Sequence, residues 1–357
     1  MRNEILRADR AARPEYEPMS MLLAEAKATR PGLAFKARTP ARARAWRRLA
    51  VAAFRRALGR MPEAAPLRPR LLGKKKARGY AIEAWEVETT RGLTCPYFIL
   101  VPDGVKSGAA AILCAHGHGA GVNPLLGYDR DGSRLAKEEY QKEFAVQAVR
   151  AGFVTLAHEQ LAFGRRADFH WRAEYGKPKE PAEYSACIQP SMVMLQLGYT
   201  MSGMRVFEAQ RMLDVLSARR DVDPRRIGMV GISGGGLTTL YTSALDTRVK
   251  AACVSGYANR FLDCIISLHH CPDNYVPGLA KALDIPDIAA MVAPRGLLIE
   301  AGSKDEWFPV AAVRKAVQKI RRAYEVCDAP KEIEVDYFDG EHQFSGRRTW
   351  EFFRRHL

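Results

Sequence analysis

The run Arg226-Ile227-Gly228-Met229-Val230-Gly231-Ile232-Ser233-Gly234-Gly235-Gly236 constrains this chain more than any other stretch. A short apolar segment ends in Gly-x-Ser-x-Gly, and the helix-favouring stretch Leu237 to Ala244 follows. The pattern predicts a strand, a sharp turn and a helix, with Ser233 at the apex. Holding a serine there takes a strained backbone, so its neighbours must be small. Gly231 and Gly235 meet that demand. The strain lifts the hydroxyl off the strand, where a base can reach it. The Gly234 N–H then opens a helix, where backbone donors lack an internal acceptor and can hold a negative oxygen. A glycine-rich turn with a solvated serine is the alternative for the pentapeptide alone; the strand-to-helix context favours the nucleophile.

At 357 residues the chain can bury a large core, as one α/β domain with additions or as two domains. No apolar run is long enough to span a bilayer, so no membrane association is expected. The charged N-terminus has no apolar leader segment, and cytoplasmic location is the expectation. The seven cysteines are scattered, odd in number and without a Cys-x-x-Cys pair, which argues for free thiols in a reducing compartment and against a disulfide framework. Charge is uneven. Residues 1–80 hold 21 Lys+Arg against 6 Asp+Glu, whereas residues 81–357 hold 34 of each. A basic arm could touch nucleic acid or an acidic partner. Because the arginines alternate with alanine and leucine as on helix faces, an amphipathic helical cap is the preferred reading, and nucleic acid is not the expected partner.

Along the chain, residues 1–78 read as a basic helical extension. Its strongest helix is Pro40 to Arg60, where Trp46, Leu49, Ala53, Phe54 and Leu58 recur at helical spacing. Pro62, Pro66 and Pro69, then Gly73 and three lysines, mark a linker or loop. Residues 79–357 read as one catalytic domain. Strands are expected from Tyr80, beginning with an irregular edge strand around residues 82–88. Tyr97 to Val101 and the wholly apolar Ala109 to Ala115 follow. Helix and strand then alternate: Glu138 to Ala151, Phe153 to Ala157, Met204 to Ala218, the Ser233 strand, Val249 to Ser255, Leu297 to Gly302, a helix through Val310 and Tyr324, and Ile333 to Phe338. Such alternation predicts a mostly parallel sheet flanked by helices. Two stretches interrupt it, about 158–200 and about 256–295, and both read as lid-like insertions. The first carries Phe163, Phe169, Trp171, Tyr175 and Tyr184.

Serine at its free pKa is a poor nucleophile and needs a base and a group to orient that base. Asp305 follows the strand ending at Gly302, and His342 follows the last strand. In a parallel sheet both loops lie on the rim that carries Ser233. Glu306 and, more weakly, Glu341 are rival acids. The stretch His269-His270-Cys271 with Asp273 matches no common zinc spacing, so it reads as a substrate-facing or structural loop and no metal is expected.

These residues carry a resemblance. His116-Gly117-His118-Gly119, Arg226 through Gly236, Ala244-Leu245-Asp246-Thr247-Arg248-Val249, Asn274-Tyr275-Val276-Pro277-Gly278, Ala293-Pro294-Arg295, Gly302 to Asp305 and Gly340 to His342 resemble α/β-hydrolases of the dienelactone-hydrolase-like and acetyl xylan esterase-like group. The resemblance covers residues from about 80 to the end. It implies the α/β-hydrolase fold and a Ser233-Asp305-His342 triad in the family's chain order. It also implies an oxyanion hole of the His118 and Gly234 amides. The implied activity is that of a serine carboxylesterase, often on acetylated sugars, with no metal or organic cofactor. The expected partner is a small-molecule or carbohydrate ester, and relatives carry N-terminal extensions that pack on the domain or at a subunit interface, which allows a homo-oligomer. One departure is that dienelactone hydrolases use cysteine where this chain has Ser233. Two rival activities share the sequence features: an amidase or peptidase with the same triad, and a non-catalytic binding protein of the same fold.

Overall fold

The computed structural model describes residues 14–167 and 186–357. Phe169, Trp171, Tyr175 and Tyr184 of the first insertion lie outside the described residues. Among the described residues, nine strands form one sheet in the order β1-β2-β3-β5-β4-β6-β7-β8-β9. They are β1 Arg70–Ala77, β2 Tyr80–Thr90, β3 Leu93–Pro102, β4 Ala109–Ala115, β5 Val154–His158, β6 Val222–Ile232, β7 Val249–Ser255, β8 Gly296–Gly302 and β9 Ile333–Phe338. The first three strands and the β3–β5 pair run antiparallel, and every pair from β5 to β9 is parallel. This is the mostly parallel sheet that the alternation predicts.

Period-two packing sorts the central strands between two cores. Ala111, Leu113, Ala115 and Met229 face a core shared with Phe54, Leu213, Leu240 and Ile320. Ile112, Cys114, Val230 and Ile232 face the other, shared with Phe144, Val149, Phe352 and Phe353. Both faces are therefore covered, and β4, β7 and β8 are buried nearly throughout.

The helix Pro40–Ala57 starts at Thr39, whose hydroxyl accepts from the Arg42 N–H, and Pro40 occupies its first turn. Its Ala43, Ala50 and Phe54 are buried. Phe54 meets Tyr241 edge-on at 4.9 Å, and Arg47 donates to the Met291 carbonyl at 2.8 Å. The helix thus lies along the sheet domain rather than projecting as an arm.

Three local expectations differ from the structure. Residues 70–77 are a strand rather than a loop. It is exposed along nearly its whole length, so no burial alternation marks it in the sequence. β1 covers β2, which is consequently not the edge strand; the irregularity expected there is the register shift between Glu88 and Thr90. The helix expected from Glu138 begins only at Phe144. Lys142 and Glu143 adopt positive φ, 49° and 47°, and break it.

Candidate active site

β6 ends at Ile232 and the helix Gly234–Leu245 begins two residues later. Ser233 sits between them at φ 58° and ψ −124°, left-handed backbone that a side chain rarely tolerates. It is held from both sides: its N–H donates to the Ser255 carbonyl at 3.0 Å and its carbonyl accepts from Leu237. The glycines answer a spatial demand. A Cβ on Gly235 would collide with the Ala115 carbonyl, and one on Gly231 with the Gly235 carbonyl. No larger residue fits while the turn packs this closely on β4.

The loops after β8 and β9 bring Asp305 and His342 together. Asp305 is 5 % exposed, and its Oδ2 lies 2.7 Å from His342 Nδ1. Its Oδ1 accepts the Trp307 and Phe308 amides, each at 2.9 Å, so the carboxylate cannot swing away from the imidazole. The His342 ring lies near-parallel to Phe308 and Tyr140, at centroid distances of 5.5 and 5.9 Å. Glu306 and Glu341, the rival acids, are both exposed. Ser233 and His342 line the same cavity.

The loop after β4 is braced by buried polar side chains. Gly117 donates its N–H to Gln141 Oε1 at 2.8 Å. His116 Nδ1 lies 2.7 Å from the Gly117 carbonyl while Nε2 accepts the Gln160 N–H at 3.0 Å, which fixes the tautomer. Burial pulls the His116 pKa down to about 3, so the ring is neutral. The Tyr140 hydroxyl donates to the His118 carbonyl at 2.6 Å. Among the described residues the His118 and Gly234 amides have no acceptor, and the His118 ring packs against Gly234. Tyr140, Gln141 and Gln160 are supports that the sequence did not single out. Tyr140 falls inside a stretch read as helix, and nothing in its spacing marks it.

The opposite wall joins the two insertions to His118 and to Arg205 of the helix Met201–Ala218. His118 Nε2 lies 3.1 Å from Asp273 Oδ2. Arg205, 1 % exposed, donates to the same oxygen at 2.5 Å, and Asn274 donates to Oδ1 at 2.7 Å. Burial alone would raise the Asp273 carboxyl, but the charges of His118 and Arg205 outweigh it and hold it well below the usual carboxylate range. Cys187 and Cys271, 84 residues apart, are joined as a disulfide beside this cluster. That corrects the expectation of free thiols throughout: the two insertions meet at the cavity and bring one pair into contact. The other five cysteines are free, four of them buried. The cavity between the walls is about 840 Å³ and is rimmed by His269, His270 and Trp307, the last half-exposed. Burial, reinforced by His118, pulls His270 down to about 4. Among the described residues no helix is long and apolar enough to cross a membrane.

Comparison with known proteins agrees with this architecture. The Abhydrolase family profile matches residues 3–351. YtaP of Bacillus subtilis (strain 168), assigned as a hydrolase, is 28 % identical over 276 residues, spanning 75 % of this chain and 85 % of that protein. Among solved structures, BF1801 of Bacteroides fragilis NCTC 9343, assigned as an acetyl xylan esterase, superposes with a TM-score of 0.76 at 21 % identity. The match covers 93 % of this chain and 84 % of that one. A glucuronoyl esterase from Solibacter usitatus gives 0.65 at 14 % identity, over 87 % and 92 % of the two chains. At these identities the structural likeness is one of fold.

Proposed function

Because the chain belongs to the Abhydrolase family, we propose that it is a serine carboxylic ester hydrolase acting on short acyl, chiefly acetyl, esters of carbohydrates or similar small alcohols. The observation that carries this reading is the 2.7 Å Asp305–His342 pair opening on the same cavity as a serine at positive φ. In the proposed reaction His342 takes the Ser233 proton as the hydroxyl attacks the ester carbonyl. Asp305 keeps Nδ1 protonated, so Nε2 is the basic nitrogen, and it stabilises the imidazolium that forms. The amides of His118 and Gly234 hold the oxyanion, each such donor being worth about 3–4 kcal/mol in the transition state. The alcohol leaves with the proton from His342. Water, deprotonated by the same imidazole, then releases the carboxylic acid from Ser233.

A half-exposed Trp307 beside His269 and His270 suits the flat faces of a sugar or aryl alcohol. The test is hydrolysis of p-nitrophenyl acetate, butyrate and octanoate, with acetate release from acetylated xylan alongside. The expected result is acetate preference and its abolition in Ser233→Ala. Activity on a p-nitroanilide with none on the esters would replace the reading with an amidase. Ester hydrolysis undiminished in Ser233→Ala would remove the serine from the mechanism.

A further inference from the structure

The cluster opposite the triad contains more ligating groups than a disulfide needs. His118 Nε2, Cys187 Sγ, Cys271 Sγ and an Asp273 carboxylate oxygen all lie within 4.8 Å of one another. His118 Nε2 is 3.1 Å from Asp273 Oδ2 and 3.9 Å from Cys187 Sγ. For zinc–ligand bonds of about 2.0–2.3 Å, the edges of a tetrahedron run to roughly 3.3–3.8 Å, so the two His118 separations lie close to such edges, and the sulfurs part to that spacing once their bond is reduced. The Cys187 and Cys271 Cα atoms stand 7.4 Å apart, beyond the usual 4.4–6.8 Å span of a direct bridge.

We propose that, with the Cys187–Cys271 bond reduced, His118, Cys187, Cys271 and Asp273 bind one zinc ion. An external dithiol supplies the two electrons and two protons that convert the disulfide to two thiols, and is itself oxidised to its disulfide. Zinc then displaces one proton from each thiol. His118 releases its Nε2 proton to solvent, so Nε2 becomes the nitrogen ligand while Nδ1 keeps its hydrogen. Charge closes at the site: two thiolates and Asp273 carry three negative charges, and the ion with Arg205 carries three positive. Cys187, Asp273 and Arg205 are at most 5 % exposed, so a neutral sum matters. Arg205 and Asn274 remain on the carboxylate as its outer hydrogen-bond donors, and Phe163 packs edge-on against the His118 ring at 5.0 Å.

Four protein ligands leave no open position, so the ion is structural and not a Lewis acid for the ester. It clips both insertions to the loop that carries the His118 amide. Sequence spacing does not reveal such a site, because its ligands come from three distant segments and only Cys271 and Asp273 are close in sequence.

The experiment uses the full chain, reduced with a phosphine and exchanged into cobalt(II) or zinc. The expected result is about one metal per chain by elemental analysis, with the thiolate-to-cobalt charge-transfer bands and visible d–d bands of a tetrahedral site. Cys187→Ser and Cys271→Ser should each lose the charge-transfer intensity and most of the metal. Cys327→Ser, at a free cysteine distant in the fold, should keep both. The wild-type cobalt spectrum stands even if a variant folds poorly. Reduced wild-type protein that binds neither metal overturns the proposal, as does stoichiometric metal that survives in both serine variants. None of these readouts depends on esterase activity.

Discussion

The two walls of the cavity are built in opposite ways. Ser233, Asp305 and His342 stand on short loops at the carboxyl ends of β6, β8 and β9, so the sheet alone fixes their common rim. His118, Cys187, Arg205, Cys271 and Asp273 converge instead from a strand-end loop, two insertions and the helix Met201–Ala218. The first wall is assigned the proton transfers and bond changes, and the side chains of the second are assigned positioning, the His118 backbone amide alone reaching the oxyanion. Substitutions in the first should therefore remove turnover with little change in stability, and substitutions in the second should do the reverse.

The largest effect should be that of Ser233→Ala, a loss of about 10⁶-fold in kcat for p-nitrophenyl acetate with the melting temperature kept. Next, Asp305→Asn should cost about 10⁴-fold in kcat by leaving His342 in the wrong tautomer. Asp273→Asn, the matching change on the other wall, should cost less than about tenfold in kcat. Equal losses from the two would erase the contrast between the walls.

Arg205→Met removes the guanidinium from the buried Asp273 carboxylate, leaving it only His118 and Asn274, and should destabilise the fold by about 3 kcal/mol in urea titration. The same titration on Asp305→Asn should move far less, because that loop keeps its backbone frame.

Acid should act through three histidines, two fully buried and one on the cavity rim. His116 and His158 are held down to about 3, and His270 to about 4, in each case by burial first. Each binds a proton more weakly in the fold than in the unfolded chain, whose value is about 6.5. The unfolded state thus holds more protons below that value, and stability should fall as pH drops from about 6.5 toward 4. Glu159, raised to about 7 by burial, works in the opposite sense: its contribution is full below about 4.5 and lost as pH rises through 7. Among the described residues His158 has no hydrogen-bond partner on either ring nitrogen, so His158→Leu should flatten the acid limb in melts across this range. An unchanged slope would shift the acid sensitivity to other groups. The smallest effect is Trp307→Ala, a KM rise of a few-fold to about tenfold for aryl acetates at constant kcat.

The same contrast explains what could be read before the structure. A serine, an acid and a histidine each just past a strand are visible because topology does the gathering. Asp305 separates from Glu306 and Glu341 only once burial and the His342 contact are known. The Arg205–Asp273–His118 chain is invisible because no periodicity links residues 68 and more positions apart. β1 was hidden for a different reason: Gly73 and three lysines have the composition of a loop, and an exposed strand has no apolar face to betray it.

That strand has a consequence for the molecule in a crowded solution. An uncovered sheet edge offers unpaired amides and carbonyls to any second chain, and edge-to-edge growth is how native sheets become aggregates. β1 presents Arg70, Lys74, Lys75 and Lys76 along this border, while Glu86, Glu83 and Asp103 pair with three of them from the protein side. Two such edges approaching each other bring cation against cation. The lysine run that looks like a linker in the sequence thus gives this border the charged composition that disfavours edge-to-edge pairing.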